Sequence, residues 1–259
     1  MELLVCDLDG TLVGPMDQGL ETAKRAIDYC REKGIEVTIA TGRAFGAAER
    51  YLEYFEIDQP AITNGGALVA AIGKPPIYEK QIKRDIALSI AEELRTLGYP
   101  FYFLVGKDMY TETKGPETEK YSHLLQFPIK ILDSIEQVEK CPTQIAVRVP
   151  PQDADALLSH LDSKWAEVTL LKSLPHLLEI QPLGVSKAKG LEFLACYMGI
   201  PRENVFTIGD GLNDLDMLMW SGMKAAVANA HAAVKQTVPY VSTAPYSEGV
   251  MEIVEKFIR

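Results

Sequence analysis

The stretch Val5-Cys6-Asp7-Leu8-Asp9-Gly10-Thr11-Leu12 decides how this chain folds. Because Leu3 and Leu4 precede it, a buried strand is predicted to end in two aspartates, a glycine and a hydroxyl. Burying carboxylates at that end of a strand costs free energy unless they bind a cation or take part in catalysis. Open α/β sheets bind their ligands at this end of the strands. If Leu8 continues the strand, Asp7 and Asp9 point to the same side, where one can attack or bind metal while the other carries a proton. The alternative is an acidic turn that only closes the strand.

Two further predicted strands end in residues suited to phosphate binding or to close backbone approach. An apolar strand predicted at 36–40 stops at Thr41-Gly42-Arg43, directly before a predicted helix. A hydroxyl and free backbone amides at the amino end of a helix attract phosphate. The alternative is that Thr41 merely caps that helix. A third strand, predicted at 61–63, ends in Asn64-Gly65-Gly66.

A second acidic strand end lies late in the chain. The apolar strand predicted at 205–208 runs into Gly209-Asp210-Gly211-Leu212-Asn213-Asp214. Two carboxylates and an amide, flanked by glycines that let the backbone approach closely, favour a site for a hard cation. Lys187 opens a predicted helix and could offer a point charge to a phosphoryl group. The alternative is that Lys187 is an exposed lysine in the first turn of that helix.

The order of these elements predicts an α/β protein with an insertion. Strands alternating with helices imply a doubly wound, parallel, Rossmann-like sheet built from residues 1–81 and 184–259. Residues 82–183 depart from this pattern, because the strands predicted at 101–105 and 109–111 are joined like a hairpin. We therefore expect an inserted α+β cap domain that selects and shields a substrate. Its helices are predicted at 84–97, 117–126, 134–140 and 153–165, with further strands at 143–149, 168–171 and 177–181.

Composition narrows the possible partners and the compartment. Of the 259 residues 47% are hydrophobic and 24% charged, which is ordinary for a globular protein, and the net charge is -10. That charge argues against nucleic acid or an anionic membrane as a partner. No apolar run approaches a membrane span, and no export signal is visible. Four scattered cysteines without a CxxC pair are predicted to be buried thiols in a reducing compartment, so a cytoplasmic location is expected. They are Cys6, Cys30, Cys141 and Cys196. The sequence does not define the oligomeric state.

Taken together and in order, these motifs resemble those of the haloacid dehalogenase superfamily. The match spans essentially the whole chain, and its later features are similar to the Cof-type branch, subclass IIB. The motifs that carry the resemblance are Asp7-Leu8-Asp9-Gly10-Thr11, Thr41-Gly42-Arg43, Lys187 in Gly-Val-Ser-Lys, and Gly209-Asp210-Gly211-Leu212-Asn213-Asp214. The branch features are Asn64-Gly65-Gly66, the inserted cap, Asn229-Ala230 and Glu248-Gly249-Val250. Four motifs in the right order are far more specific than any one alone.

The resemblance implies a role for each candidate residue. Asp7 would attack phosphorus and form an aspartyl phosphate, while Asp9 would protonate the leaving alcohol and then deprotonate the hydrolytic water. Mg²⁺ would be held by Asp7, the Asp9 main-chain carbonyl, Asp210 and Asp214. The residues expected to bind phosphoryl oxygens are Thr41, the Gly42 amide, Lys187 and Asn213. Those expected to contact substrate are Asn64 and Gly65.

The function implied is a Mg²⁺-dependent phosphatase of small phosphate monoesters, with sugar phosphates as the expected class. A phosphomutase would use the same chemistry but return the phosphoryl group to a sugar. A signalling receiver also phosphorylates an aspartate near a threonine and a lysine, but Asp9 and residues 82–183 argue against it. A catalytically inactive interaction protein is the remaining alternative, and the intact acids argue against that one.

Overall fold

The structure, a computed structural model, describes residues 1–258. The chain divides into two compact units. The first comprises Met1–Gly42, Arg50–Tyr78 and the chain from Ser186 onward, and the second comprises Arg43–Glu49 and Glu79–Val185. The division differs from the predicted one mainly at Arg43–Glu49, where Ala44 and Ala47 join an apolar cluster of the second unit that includes Tyr102 and Leu104.

The described residues form strands and helices in the following order. The strands are β1 (Leu3–Asp7), β2 (Glu36–Ala40), β3 (Ala61–Thr63), β4 (Leu68–Ala70), β5 (Tyr78–Glu79), β6 (Phe101–Val105), β7 (Asp108–Thr111), β8 (Lys130–Ile131), β9 (Gln144–Arg148), β10 (Val168–Leu174), β11 (Leu177–Pro182), β12 (Val205–Gly209) and β13 (Met223–Ala226). The helices are α1 (Leu20–Glu32), α2 (Phe45–Tyr54), α3 (Arg84–Leu97), α4 (Pro116–Leu125), α5 (Ala154–Lys164), α6 (Lys187–Met198), α7 (Leu215–Trp220), α8 (Ala232–Thr237) and α9 (Tyr246–Phe257). Among the described residues, no helix has both the length and the apolar character that crossing a membrane requires.

The first sheet has the order β13-β12-β1-β2-β3-β4-β5. Strand β1 pairs in parallel with β12 and β2, and β2 pairs in parallel with β3. All five residues of β1 are buried, as expected for a parallel strand covered on both faces. The predicted doubly wound α/β fold is confirmed. Its consequence for function is that the carboxyl ends of β12, β1, β2 and β3 meet at one edge.

The second sheet has the order β10-β11-β9-β6-β7-β8 and is antiparallel except for the pair β7 and β8. Alternation along β6 separates its two faces. Phe101 and Phe103 pack in a cluster with residues of α3 and α5, whereas Tyr102 and Leu104 pack on the other side with Tyr121 of α4. The inserted segment is therefore an α+β unit with its own apolar core.

Most predicted elements of the insertion are present, but the helix predicted at 134–140 is wrong. Only the 3-10 turn Ile135–Gln137 forms there, and Val138 is already extended. A long-range contact accounts for this. The Arg84 guanidinium donates hydrogen bonds to the carbonyl of Glu136, at 2.8 Å, and to that of Val138. In a helix over 134–140 the Glu136 carbonyl would accept from the Lys140 amide, and the Arg84 guanidinium occupies that acceptor instead. Strand β8, two exposed residues long, had no sequence signal.

The cysteine prediction is correct for two residues of the four. Cys6 and Cys30 are buried, Cys141 is half-buried, and Cys196 is exposed. Cys196 lies in α6, whose buried residues include Leu191, Leu194 and Ala195, so it falls on the outer side of that helix.

Gly66 lets the turn after β3 pack against the start of α6. Its φ is +102°, and a Cβ built on it would lie 2.0 Å from the carbonyl oxygen of Ser186. The backbone that precedes Lys187 is thus in direct contact with this turn. No other residue type fits without moving one of the two segments.

Replacing Gly66 with Ala should lower the free energy of unfolding by about 3 kcal/mol, of which about 1 reflects the left-handed backbone and about 2 the overpacking. Gly34→Ala is the matched control, because Gly34 has φ +73° but open space around its Cβ position. It should cost about 1 kcal/mol. Urea unfolding of both variants measures the difference, and equal losses would contradict the packing argument.

Candidate active site

Two of the predicted acids are brought together by the pairing of β1 with β12. Asp7 is the last residue of β1, and Asp210 directly follows β12. Cys6 is opposite Ile208 in the parallel register, so the two acidic strand ends are neighbours at the carboxyl edge of the sheet. Residues that are far apart in the sequence therefore share one site.

Three carboxylates form the centre of the site. One carboxylate oxygen from each of Asp7, Asp210 and Asp214 lies within 4.8 Å of the other two. Burial raises the pKa of Asp7 well above its usual value, and the Asp214 charge raises it further although Lys187 opposes this. Burial and Asp214 together raise the pKa of Asp210 to about 6. Clustered, partly desolvated oxygen donors of this kind fit a hard divalent cation, which would remove their repulsion.

Lys187 connects two of these carboxylates. Its Nζ lies 2.5 Å from Asp7 Oδ1 and 2.6 Å from Asp214 Oδ1, and its side chain is only 2% exposed. Burial alone would lower the pKa of Lys187, but the charges of Asp214 and Asp7 raise it overall. The alternative interpretation, an exposed lysine in the first turn of a helix, is therefore wrong. Lys187 does open α6, behind the N-cap Ser186.

Asp214 also organises the loop that carries Asp210. Its second oxygen, Oδ2, accepts hydrogen bonds from the amides of Asp210, at 3.0 Å, and Gly211, at 2.8 Å. A Cβ at position 209 would lie 2.7 Å from the Asp214 Cβ, so Gly209 permits this close turn. The carboxylate is fully buried. It therefore fixes the loop with one oxygen and Lys187 with the other.

The loop after Asp7 contributes contacts to the same site. The Thr11 hydroxyl donates to Asp210 Oδ1 at 2.7 Å, which links the first motif to the last. A Cβ at Gly10, whose φ is +91°, would lie 2.4 Å from Asp210 Oδ2. Both residues follow the acidic pair in the sequence, yet sequence reasoning did not identify their contact with Asp210.

Asp9 lies in a different environment from Asp7. Strand β1 ends at Asp7, and Leu8 is a buried turn residue. The strand therefore does not continue through Leu8, and its alternation of side chains does not extend to Asp9. Asp9 is exposed, and its carboxylate is not part of the three-acid cluster. Its main chain forms a bridge with Val13. The two predicted acids are thus separated into a buried and a solvent-accessible one.

The predicted phosphate and substrate residues follow the neighbouring strands. Thr41 is buried after β2, its amide donates to the Ile62 carbonyl at 2.8 Å, and its carbonyl accepts from the Gly65 amide at 3.1 Å. Asn64 and Gly65 have φ of 52° and 63°. The hydrogen bond from the Gly65 amide to the Thr41 carbonyl joins the loops after β2 and β3. Half-buried Gly42 follows Thr41, and half-buried Asn213 precedes Asp214 in a 3-10 turn.

Asn229 contacts the first-motif loop, a role that sequence reasoning did not assign to it. Its amide nitrogen donates to the Gly10 carbonyl at 2.8 Å, and its amide oxygen accepts from the Tyr246 backbone at 2.9 Å. The neighbouring His231 amide donates to the Asp210 carbonyl at 2.8 Å. The available signal was weak: an amide residue shortly after a predicted strand, in a stretch matched to the Cof-type branch.

Comparison with known proteins identifies the family. Residues 4–254 match the model of the haloacid dehalogenase-like hydrolases, and the chain belongs to that family. The predicted family, with its Cof-type branch, and the predicted hydrolase class are confirmed.

The chain is similar over its full length to several individual proteins. It is 25% identical to the stress response protein YhaX of Bacillus subtilis, over 100% of this chain and 93% of that protein. It is also 25% identical to the 5-amino-6-(5-phospho-D-ribitylamino)uracil phosphatase YitU of the same organism, over 98% and 97%. A haloacid dehalogenase-like hydrolase from Bacteroides thetaiotaomicron has the same fold, with a TM-score of 0.90, 25% identity and 99% coverage of both chains.

If the three carboxylates bind Mg²⁺, the ion should stabilise the folded protein. At a concentration of 100 times Kd the gain is about 2.7 kcal/mol, and Asp210→Asn should lose most of it. Thermal unfolding with Mg²⁺ or with chelator measures the gain. Asp58→Asn is the control, because Asp58 is exposed and outside the cluster. An Asp210→Asn protein that responds to Mg²⁺ like wild type would exclude Asp210 as a ligand.

Lys187→Met should be strongly destabilising in the presence of chelator. It would leave Asp7 and Asp214 buried without their cation, at a cost of about 3–5 kcal/mol. Lys189→Met is the control: Lys189 pairs with Glu192 at 2.7 Å, but its side chain is 60% exposed. Its loss should cost no more than about 1 kcal/mol. Urea unfolding compares the two, and similar costs would show that the buried pair contributes no more than a surface pair.

Proposed function

We propose that this hydrolase is a Mg²⁺-dependent phosphatase of small phosphate monoesters and that it works through an aspartyl phosphate on Asp7. The observation that supports this most strongly is the buried Asp7 carboxylate held 2.5 Å from the Lys187 ammonium. A nucleophilic carboxylate must be charged and fixed in position before it attacks. An ammonium in hydrogen-bond contact favours the charged form against the effect of burial and fixes the carboxylate in position.

The proposed reaction has two displacements at phosphorus. In the first, an Asp7 oxygen bonds to phosphorus, the ester P–O bond breaks, and Asp9 gives its proton to the leaving alcohol oxygen. In the second, water attacks the phosphorus of the acyl phosphate, Asp9 takes its proton, and inorganic phosphate leaves. Asp7 returns to a carboxylate and Asp9 to an acid, so the enzyme is regenerated.

The proposed cation site uses Asp7, Asp210, Asp214 and the main-chain carbonyl of Asp9. When bound, Mg²⁺ would neutralise charge on the acids and on the transferring phosphoryl group. One Asp214 oxygen accepts a hydrogen bond from Lys187, and the other accepts from two loop amides. We therefore propose that Asp214 orients Asp210 in addition to contributing to the cation site. Thr11 orients Asp210 from the other side.

The remaining residues are proposed to hold the substrate. Thr41, the Gly42 amide, Lys187 and Asn213 would bind phosphoryl oxygens, since donors arranged at the strand ends stabilise charge as it shifts in the transition state. We assign Asn64 and Gly65 to contacts with the leaving group. Their loop is joined to Thr41 by the Gly65 amide, which donates to the Thr41 carbonyl.

Sugar or polyol phosphates are the proposed substrate class. Two curated relatives, YitU and a second protein of Bacillus subtilis, are named as phosphatases of a ribitylamino-uracil phosphate. Identity of 24–25% supports the class of reaction more than the particular substrate. A small phosphorylated metabolite is accordingly the proposed partner. The cytoplasmic location stays a prediction from the scattered cysteines.

A phosphomutase is the second candidate on the same chemistry. It would use Asp7 and Asp9 alike but return the phosphoryl group to a sugar hydroxyl instead of water. Release of inorganic phosphate without a sugar acceptor distinguishes the two. A signalling receiver, the other alternative that phosphorylates an aspartate, would leave Asp9 without a role.

The proposed mechanism predicts distinct defects for its two acids. Asp7→Asn should reduce phosphate release from sugar phosphates by about 10³-fold or more, because the nucleophile is lost. Asp9→Asn should reduce turnover by about 10²–10⁴-fold, because acid–base catalysis is lost, yet accumulate phosphoenzyme with an activated ester such as p-nitrophenyl phosphate. Phosphate release and mass spectrometry of acid-quenched protein measure the two effects. Phosphorylation of a residue other than Asp7, or full turnover by either variant, would refute the mechanism.

A further inference from the structure

The loop that follows Asp9 is folded on itself by backbone hydrogen bonds. The Val13 amide donates to the Leu8 carbonyl at 2.9 Å, and the Gly10 amide donates to the Val13 carbonyl at 2.8 Å. Beyond Val13, the Gly14 amide donates to the Gln18 carbonyl at 2.9 Å. Asp9 is thus joined by successive short turns to a hairpin over residues 14–18. A displacement of that hairpin would be transmitted to Asp9.

The tip of this hairpin has a conformation that side chains disfavour. Met16 and Asp17 have φ of 54° and 61°, in the left-handed region. Met16 is 98% exposed, so burial of its side chain does not stabilise the tip. Some other interaction must hold two consecutive left-handed residues in place.

Asp17 supplies that interaction through two residues of α2. Its carboxylate accepts a hydrogen bond from the Tyr51 hydroxyl at 2.6 Å and forms an ion pair with Arg50. Arg50 also donates to the Tyr51 hydroxyl at 2.9 Å, and its guanidinium lies 4.4 Å from the centroid of the Tyr51 ring. Tyr51 is 2% exposed and packed in the core, so it is a fixed anchor.

We propose that Asp17 is a positioning residue for Asp9. This rests on the proposed function, in which Asp9 delivers a proton to the leaving group. Asp9 is exposed, and its main chain is bridged to Val13, next to the hairpin that Asp17 anchors. The Asp17 carboxylate therefore sets the position of the acid through the loop without contacting substrate. Loss of the anchor should weaken proton delivery and leave the Asp7 nucleophile in place.

The test compares two substrates that differ in how much they need an acid. Phenyl phosphate and p-nitrophenyl phosphate have similar shapes, but nitrophenolate leaves without much help from a proton donor. Asp17→Asn should lower kcat/KM for phenyl phosphate by about 10-fold and that for p-nitrophenyl phosphate by no more than about 3-fold, because a misplaced acid affects only the first strongly. Tyr51→Phe, which removes one hydroxyl and keeps the ring, should show the same selectivity with a smaller loss.

Two reference variants make the outcome decisive. Asp28→Asn makes the same chemical change in an ion pair on α1, where Asp28 contacts Arg31 at 3.2 Å, and it should leave both substrates unaffected. Asp9→Asn should show the same selectivity as Asp17→Asn, but larger. Equal losses on both substrates, or no loss, in Asp17→Asn and in Tyr51→Phe would overturn the positioning role. If Asp9→Asn itself shows no selectivity, it is the acid role of Asp9 in the proposed function that fails.

Discussion

The ion pair between the Lys187 ammonium and the carboxylates of Asp7 and Asp214 is the interaction on which the site depends. Three acids share a small, largely dry space, and each additional negative charge there disfavours the others. One ammonium compensates only part of that charge. The remaining negative charge makes the site a strong attractor for a divalent cation and, without one, a poor place for a phosphate dianion. The same contacts thus favour a divalent cation and would hold the proposed nucleophile, Asp7, in place.

The parallel sheet makes this arrangement possible across long sequence separations. Lys187 and Asp7 are 180 residues apart, and Thr11 and Asp210 are 199 apart. Because neighbouring parallel strands end at one edge, a few residues after each strand suffice to build the centre. Tight backbone packing at Gly10, Gly66 and Gly209 then sets the distances between the loops. The unit formed mainly by Glu79–Val185 has a separate apolar core.

Sequence patterns were informative wherever local chemistry determines the structure. Apolar runs ending in acids, hydroxyls or glycines located β1, β2, β3 and β12, and hence the edge at which Asp7 and Asp210 meet. They failed where a distant residue decides the outcome. The segment 134–140 has a helical pattern, but the Arg84 guanidinium donates hydrogen bonds to two of its carbonyls. The spacing of apolar residues in the segment does not reveal that contact. The expected continuation of the strand through Leu8 is wrong as well, because β1 ends at Asp7 and Leu8 is a turn residue.

The different exposure of Asp7 and Asp9 is itself suited to the proposed chemistry. In the proposed mechanism the nucleophile has to be ionised and fixed in position. Burial disfavours ionisation of Asp7, whereas contact with the Lys187 ammonium favours it and holds the carboxylate in place. An acid that becomes a base within one turnover has to lose its proton and regain one, which requires contact with water or substrate at both stages. Asp9 is exposed, and the backbone hydrogen bonds of its loop contribute to its position. Two carboxylates with one residue between them therefore differ in exposure, and the chain leaves the strand at Leu8, between the two.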